Sequence, residues 1–250
     1  VFNGNAPTGF VEFSANDFYI AGCESVALTG GQAQCATSAL PIGTNTLKAT
    51  YGGDTGNAAS SGTLSYEVTR ATVTLTITAH TPDPSAVLSP VMVSVALVVA
   101  PGTGTPTGTV AVSRGVDGCT ITLPATSCSF SPSVAGTAAI AAQYGGDANF
   151  APQSAAPVSH TTTALPQAIT FPPIPDLALG NAPFLVSATA SSGLTVSFAS
   201  ATPAVCTVSG NTVALVGAGT CTITGNQPGN ATYAAALQVE TGDTLLEVGP

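Results

Sequence analysis

Residues 72–80 alternate along the chain: Val73, Leu75, Ile77 and Ala79 fall on one face, with Thr72, Thr74, Thr76, Thr78 and His80 on the other. A period of two carried by β-branched side chains predicts a half-buried strand. The same reading predicts strands over 92–99, 107–113, 138–144 and 155–162, with a short hairpin carrying Cys119 and Cys128. Leu47, Ala49 and Tyr51 alternate in the same way further upstream. Residues 169–200 hold two or three strands, and 205–225 a tight series with turns at Ser209-Gly210-Asn211 and Gly217-Ala218-Gly219. No stretch holds a helical period. Short strands separated by turn residues predict an all-β, antiparallel sandwich architecture.

Two landmarks recur. Pro7-Thr8-Gly9 returns as Pro106-Thr107-Gly108, and Tyr51-Gly52-Gly53-Asp54 returns as Tyr144-Gly145-Gly146-Asp147. Both are spaced by roughly 90–100 residues, which marks an internal repeat of one domain's length. In each copy the tyrosine ends an inward-facing alternation, so its ring closes the end of a core while its hydroxyl stays wet. The two glycines are expected to supply positive-φ positions and the aspartate the acceptor of a tight turn, with Phe150 starting the return strand. Calcium is the sharper alternative for Asp54 and Asp147. One carboxylate per turn is too few for the six to eight oxygens calcium takes, unless a neighbouring segment contributes.

Charge then narrows the function. Only 6% of the 250 residues are charged, Lys plus Arg total 3 against 12 Asp plus Glu, and the formal net charge is −9. Nucleic acid and anionic membrane surfaces are excluded as partners, since both need basic residues to release counterions. A mean hydropathy of +0.42 comes from Ala and Val spread among Thr and Ser. The longest apolar run, 91–100, is too short to cross a bilayer as a helix and reads as a buried strand. No charged region followed by an apolar segment opens the chain, so a secretion signal is expected to be removed or to lie outside it.

The six cysteines fall locally in pairs, Cys23/Cys35, Cys119/Cys128 and Cys206/Cys221. Even, local pairing predicts disulfides and an oxidising, extracellular location. Cys23 and Cys35 flank Thr29-Gly30-Gly31 as a cross-strand hairpin pair would, and Cys119 and Cys128 flank 123–126 likewise. Zinc ligation by cysteine is disfavoured because no Cys-x-x-Cys spacing exists and neither histidine lies near a pair. His80 and His160 have no nucleophile beside them in sequence and are expected on the surface. Lys48, the only lysine, alternates into solvent with Thr46 and Thr50, which disfavours an isopeptide cross-link. Asn230-Ala231-Thr232 fits a glycosylation sequon but reads as a turn. No catalytic residue, metal or cofactor is expected.

The runs "PTGTVAVS" and "QYGGDANFAP" resemble bacterial immunoglobulin-like repeat modules of large secreted and cell-surface proteins. "ASSGLTVSFAS" with "VCTVSGNTVALVGAGTCTI" is similar to a second type found in tandem with the first. The resemblance implies three tandem immunoglobulin-like antiparallel β-sandwich domains, at 1–69, 70–164 and 165–240, and no shared catalytic residues. About thirty residues of strand-forming sequence precede Pro106, but only six precede Pro7. The first domain is therefore expected to lack its N-terminal strands, either because they belong to upstream sequence, because the domain is reduced and other strands cover the gap, or because a neighbouring copy supplies them. Residues 241–250 form a tail in which Leu245, Leu246 and Val248 are the expected donor strand for a neighbouring copy. Partners follow from this: other copies in a head-to-tail filament, or adjoining modules. The alternative is an adhesin arm with a glycan or host-surface ligand, for which Phe18-Tyr19 is the only adjacent aromatic pair.

Overall fold

The computed structural model describes residues 6–100, 102–174, 177 and 182–245. Among these, every regular element is a strand, and no helix is long and apolar enough to cross a membrane. Two compact units form: Val1–Thr74 with Val98–Gly108 and Gly145–Gln153, and Leu75–Leu97 with Thr109–Tyr144 and Ser154–Pro250. The sheets nevertheless keep to three consecutive sequence segments, and the fold is all-β and immunoglobulin-like.

The first segment is one sheet built from β1 (Phe10–Ala15), β2 (Phe18–Tyr19), β3 (Val26–Ala27), β4 (Gly43–Tyr51) and β5 (Ser60–Val68). The order is β2-β1-β4-β5, with β3 also paired to β1. Antiparallel register sets Val11 opposite Tyr51, Phe13 opposite Ala49 and Leu47 opposite Leu64. These residues share one face, yet Val11, Phe13, Leu47, Ala49 and Tyr51 are only half-buried and Leu64 is exposed. A shallow groove of about 390 Å³ runs over this face between Phe13, Ile20, Leu40, Leu47 and Leu64. The Cys23–Cys35 disulfide closes the connection between β2 and β4. Both cysteines lie outside the strands, so the pair is not the cross-strand hairpin pair expected. The tight turn between them is Thr29 to Gln32, closed by reciprocal backbone hydrogen bonds.

The second segment has two sheets. Its strands are β6 (Val73–Thr81), β7 (Ser85–Ala86), β8 (Val91–Val99), β9 (Thr109–Arg114), β10 (Asp117–Thr122), β11 (Ser127–Phe130), β12 (Gly136–Tyr144), β13 (Gln153–Ser154) and β14 (Val158–Thr163). One sheet runs β10-β9-β12-β14-β7 and the other β11-β8-β6. Inward residues of both are buried: Val110, Val112, Ile140, Ala142 and Tyr144 on one, Leu75, Val91, Val93 and Val95 on the other. Cys119 lies on β10 and Cys128 on β11, so their disulfide ties the two sheets together. The pair is not within one hairpin of a single sheet, as its spacing suggests; spacing alone does not tell a hairpin from a crossing between layers.

The third segment comprises β15 (Ile169–Thr170), β16 (Phe184–Leu185), β17 (Thr189–Ala190), β18 (Ser197–Ser200), β19 (Cys206–Ser209), β20 (Thr212–Leu215), β21 (Gly219–Asn226) and β22 (Val239–Leu245). Sheets β16-β20-β19 and β18-β21-β22 are joined by Cys206–Cys221. The buried sulfurs pack with Val186, Val213 and Ile223, and Phe171 and Phe198 meet at 5.3 Å between ring centroids. β22 pairs with β21 from Val239↔Gly225 to Leu245↔Gly219. Leu245 is thus paired within its own chain, and 241–245 belong to the third segment's sheet rather than to a free tail. Leu246 and Val248 lie outside the described residues.

Candidate functional site

The two Tyr-Gly-Gly-Asp runs form the same lock. Asp54 Oδ2 accepts hydrogen bonds from the Thr8 amide at 2.8 Å and the Thr8 hydroxyl at 3.0 Å. Its Oδ1 accepts from the amides of Gly56 at 2.8 Å and Asn57 at 2.7 Å. Asp147 repeats the pattern with the Thr107 amide (2.8 Å) and hydroxyl (2.9 Å), and the amides of Asn149 and Phe150 (both 2.8 Å). The Pro-Thr-Gly and Tyr-Gly-Gly-Asp landmarks are therefore two halves of one contact, which their separation in sequence concealed. Donors from Thr8 above all, and from Thr107 above all in the second copy, hold both carboxyls well below the usual carboxylate range. A carboxylate so ringed by N–H and O–H groups presents few lone pairs to a cation, and the geometry is that of a turn rather than of a calcium site.

Only the second glycine of each run meets a steric demand. Gly53 (φ +86) and Gly146 (φ +79) lie where a Cβ would sit 2.9 Å from backbone atoms. Gly52 and Gly145 have no atom within 4 Å of that point and no positive φ, contrary to the expectation that both glycines of each pair are conformationally required.

A third turn has the same form. The Asn230 amide donates to the Tyr233 carbonyl at 2.9 Å, and Asn230 Oδ1 accepts from the amides of Thr232 and Tyr233 at 2.8 Å. The second and third turns also grip the chain entering their segment. The Ala71 amide donates to Asn149 O and the Ala151 amide to Ala71 O, at 2.8 and 2.9 Å. The Leu165 amide donates to Thr232 O and the Ala234 amide to Leu165 O, both at 2.8 Å.

The histidines, expected on the surface, are brought together instead. His160 is 0% exposed and His80 is half-buried, with their Nδ1 atoms 3.2 Å apart. Asp83 Oδ1 lies 3.3 Å from His160 Nδ1 and accepts the Thr161 amide at 3.0 Å; Asp83 Oδ2 is 3.9 Å from His80 Nδ1. On the far side of the ring His160 Nε2 is 2.9 Å from Ser85 Oγ. β14 places His160 on the same face as buried Thr162. Parity with Val158 is the sequence signal that would have turned this histidine inward. On β6 the alternation holds to Ile77 and then inverts, leaving Ala79 exposed and His80 half-buried. Burial, opposed by the Asp83 carboxylate, holds His160 below the ordinary imidazole value, with smaller contributions from His80 and Arg114. Arg114, which the sequence reading did not single out, is buried and donates to Gly136 O at 2.6 Å.

Ser85, His160 and Asp83 have the order of a nucleophile, base and orienting carboxylate. Ser85 is 2% exposed, however, so its hydroxyl is not presented to a substrate carbonyl. His80 and Asp83 instead border an open depression of about 400 Å³ with Ile77, Thr81 and Val158. A larger depression of about 790 Å³ in the third segment, around Val186, Ala190, Thr195 and Asn211, is lined by no charged side chain. Phe18 and Tyr19 are 79% and 63% exposed on β2, at the edge of the first sheet. Lys48 is exposed, as alternation predicts.

Residues 1–76 match the family model of the bacterial Ig-like domain (group 3). No curated protein matches the chain in sequence. Solved structures similar to it include the fibronectin(III)-like modules of Clostridium thermocellum CbhA. They are 14% identical over 69% of this chain and 94% of that one, with a TM-score of 0.28. Another is the C-terminal 282-residue fragment of intimin, solved in complex with the intimin-binding domain of the translocated intimin receptor (18% identity, 68% and 64% coverage, TM-score 0.26). A third is the three N-terminal domains of the bacteriophage RB49 Highly Immunogenic Outer Capsid protein (12%, 98% and 89%, 0.33).

Proposed function

We propose that this chain is a non-catalytic structural segment of a bacterial extracellular stalk or filament, made of three immunoglobulin-like modules in series. The observation that carries the reading is the repeated grip on the entering chain: Ala71 by the turn at 149–151, and Leu165 by the turn at 232–234. Each grip removes freedom from a connection of few residues, and a chain with pinned connections transmits force and holds distance. The three disulfides and the Ig-like domain favour an oxidising, extracellular setting. Lys48, Arg70 and Arg114 are the only trypsin sites, and Arg114 is buried. Few such sites suit a surface exposed to proteases.

Electron microscopy of the purified chain, with limited trypsin digestion beside it, tests this. Extended rods or fibres and slow cleavage after Arg70 are expected. Rounded particles with rapid cleavage at that connection would remove the basis of the proposal. A second reading, an adhesive arm, is favoured by the exposed Phe18-Tyr19 pair. Glycan-array binding that disappears in a Phe18→Ala/Tyr19→Ala variant would select it.

A further inference from the structure

We propose that His80, Asp83 and His160 form a binding site for one borderline divalent transition-metal ion of the zinc class. Among the described residues they are the group whose ligand atoms converge, all within 4.8 Å of one another. The spacing is the argument. A tetrahedral zinc ion bound at about 2.0–2.1 Å sets its ligand atoms about 3.3–3.4 Å apart. The Nδ1–Nδ1 distance here is 3.2 Å and the His160 Nδ1 to Asp83 Oδ1 distance 3.3 Å, so two of the three edges are already close to that length. The third runs from His80 Nδ1 to the Asp83 carboxylate, whose nearer oxygen there, Oδ2, is 3.9 Å away, and it shortens by a small rotation of a half-exposed side chain.

The surroundings fit the same ion. Two imidazole nitrogens facing each other need a proton between them; a cation takes the place of that proton and accepts both lone pairs. His160 then carries its proton on Nε2 and donates it to Ser85 Oγ, which already lies 2.9 Å away. A hydroxyl serves in either direction, so the change of tautomer costs no partner. This is the outer-shell support that ligating histidines ordinarily have. Asp83 Oδ1 is steadied by the Thr161 amide and keeps its second lone pair for the ion. The depression beside Ile77, Thr81 and Val158 leaves room for water as a fourth ligand. Nitrogen donors select zinc, nickel or copper over calcium and magnesium.

The chain makes the test clean, because it has only two histidines and all six cysteines are in disulfides. Tag-free protein is titrated with Zn²⁺ by calorimetry, and with Co²⁺ by visible absorption. One equivalent of Zn²⁺ and a tetrahedral Co²⁺ band are expected. His80→Ala should weaken binding by about 100-fold and Ser85→Ala by about tenfold. Asp83→Asn keeps the Thr161 hydrogen bond and should weaken binding while leaving circular dichroism unchanged. Absence of saturable binding, or binding undiminished in both His80→Ala and Asp83→Asn, overturns the proposal.

Discussion

The first and second segments carry the same inward alternation but bury it differently. Leu47, Ala49 and Tyr51 on β4 correspond to Ile140, Ala142 and Tyr144 on β12, and Val11 and Phe13 on β1 to Val110 and Val112 on β9. Every one of these is buried in the second segment and half-buried in the first. The difference is the layer formed by β11, β8 and β6, which supplies Leu75, Val91, Val93 and Val95. Among the described residues no strand pair of the first segment corresponds to β6 and β8. Alternation therefore assigns a side chain to a face; a second layer decides whether that face leaves water.

Core truncation should separate the segments most. Ile140→Ala should destabilise the second segment by about 3–4 kcal/mol, whereas Leu47→Ala should cost about 1 kcal/mol or less, since little area leaves water there. Urea unfolding of the two variants checks this. Equal losses would mean that the first sheet's groove is covered in solution and would break the comparison.

Removing Cys119 and Cys128 together should cost about 2–3 kcal/mol by lost loop closure, and removing Cys23 and Cys35 about as much. A clearly larger loss for the first pair would show that the tie between sheets contributes beyond chain entropy. Thermal unfolding of the two double variants provides the reading.

The turns test what the segments share. Gly53→Ala and Gly146→Ala should each cost about 1–3 kcal/mol from forced φ and backbone overlap. Gly52→Ala and Gly145→Ala should stay within about 0.5 kcal/mol. Divergence between the two copies would show that the locks, although alike in geometry, are unequally strained.

The smallest effect is acid sensitivity. Asp54 and Asp147 have folded pKa values depressed below the unfolded value of about 4. Their contribution is present in full above that value and lost as pH falls through the depressed folded one. Stability should decline below about pH 4, and Asp54→Asn and Asp147→Asn should each flatten that decline. An acid titration followed by circular dichroism measures it.

Much of the architecture was legible in the order of residues. β6, β8, β9, β12 and β14 fall where short apolar or alternating runs bounded by turn residues predict strands, because such patterns are local properties. The Asp turns were legible as turns, since glycine and aspartate carry their own backbone preferences. Their partners Thr8 and Thr107 were not, being 46 and 40 residues distant. His80 and His160 were misplaced for the same reason. Nothing within a few residues of either one announces the other, 80 residues away.

Composition and local periodicity thus determined an acidic, all-β, disulfide-braced chain with repeated turns, because strand propensity, charge and turn chemistry act over a few residues. Only the folded chain decided which cysteines cross between sheets, which inward face is covered, where β22 pairs and that two histidines meet an aspartate. Each of those depends on contacts between strands distant in sequence, which sheet pairing and layer packing create.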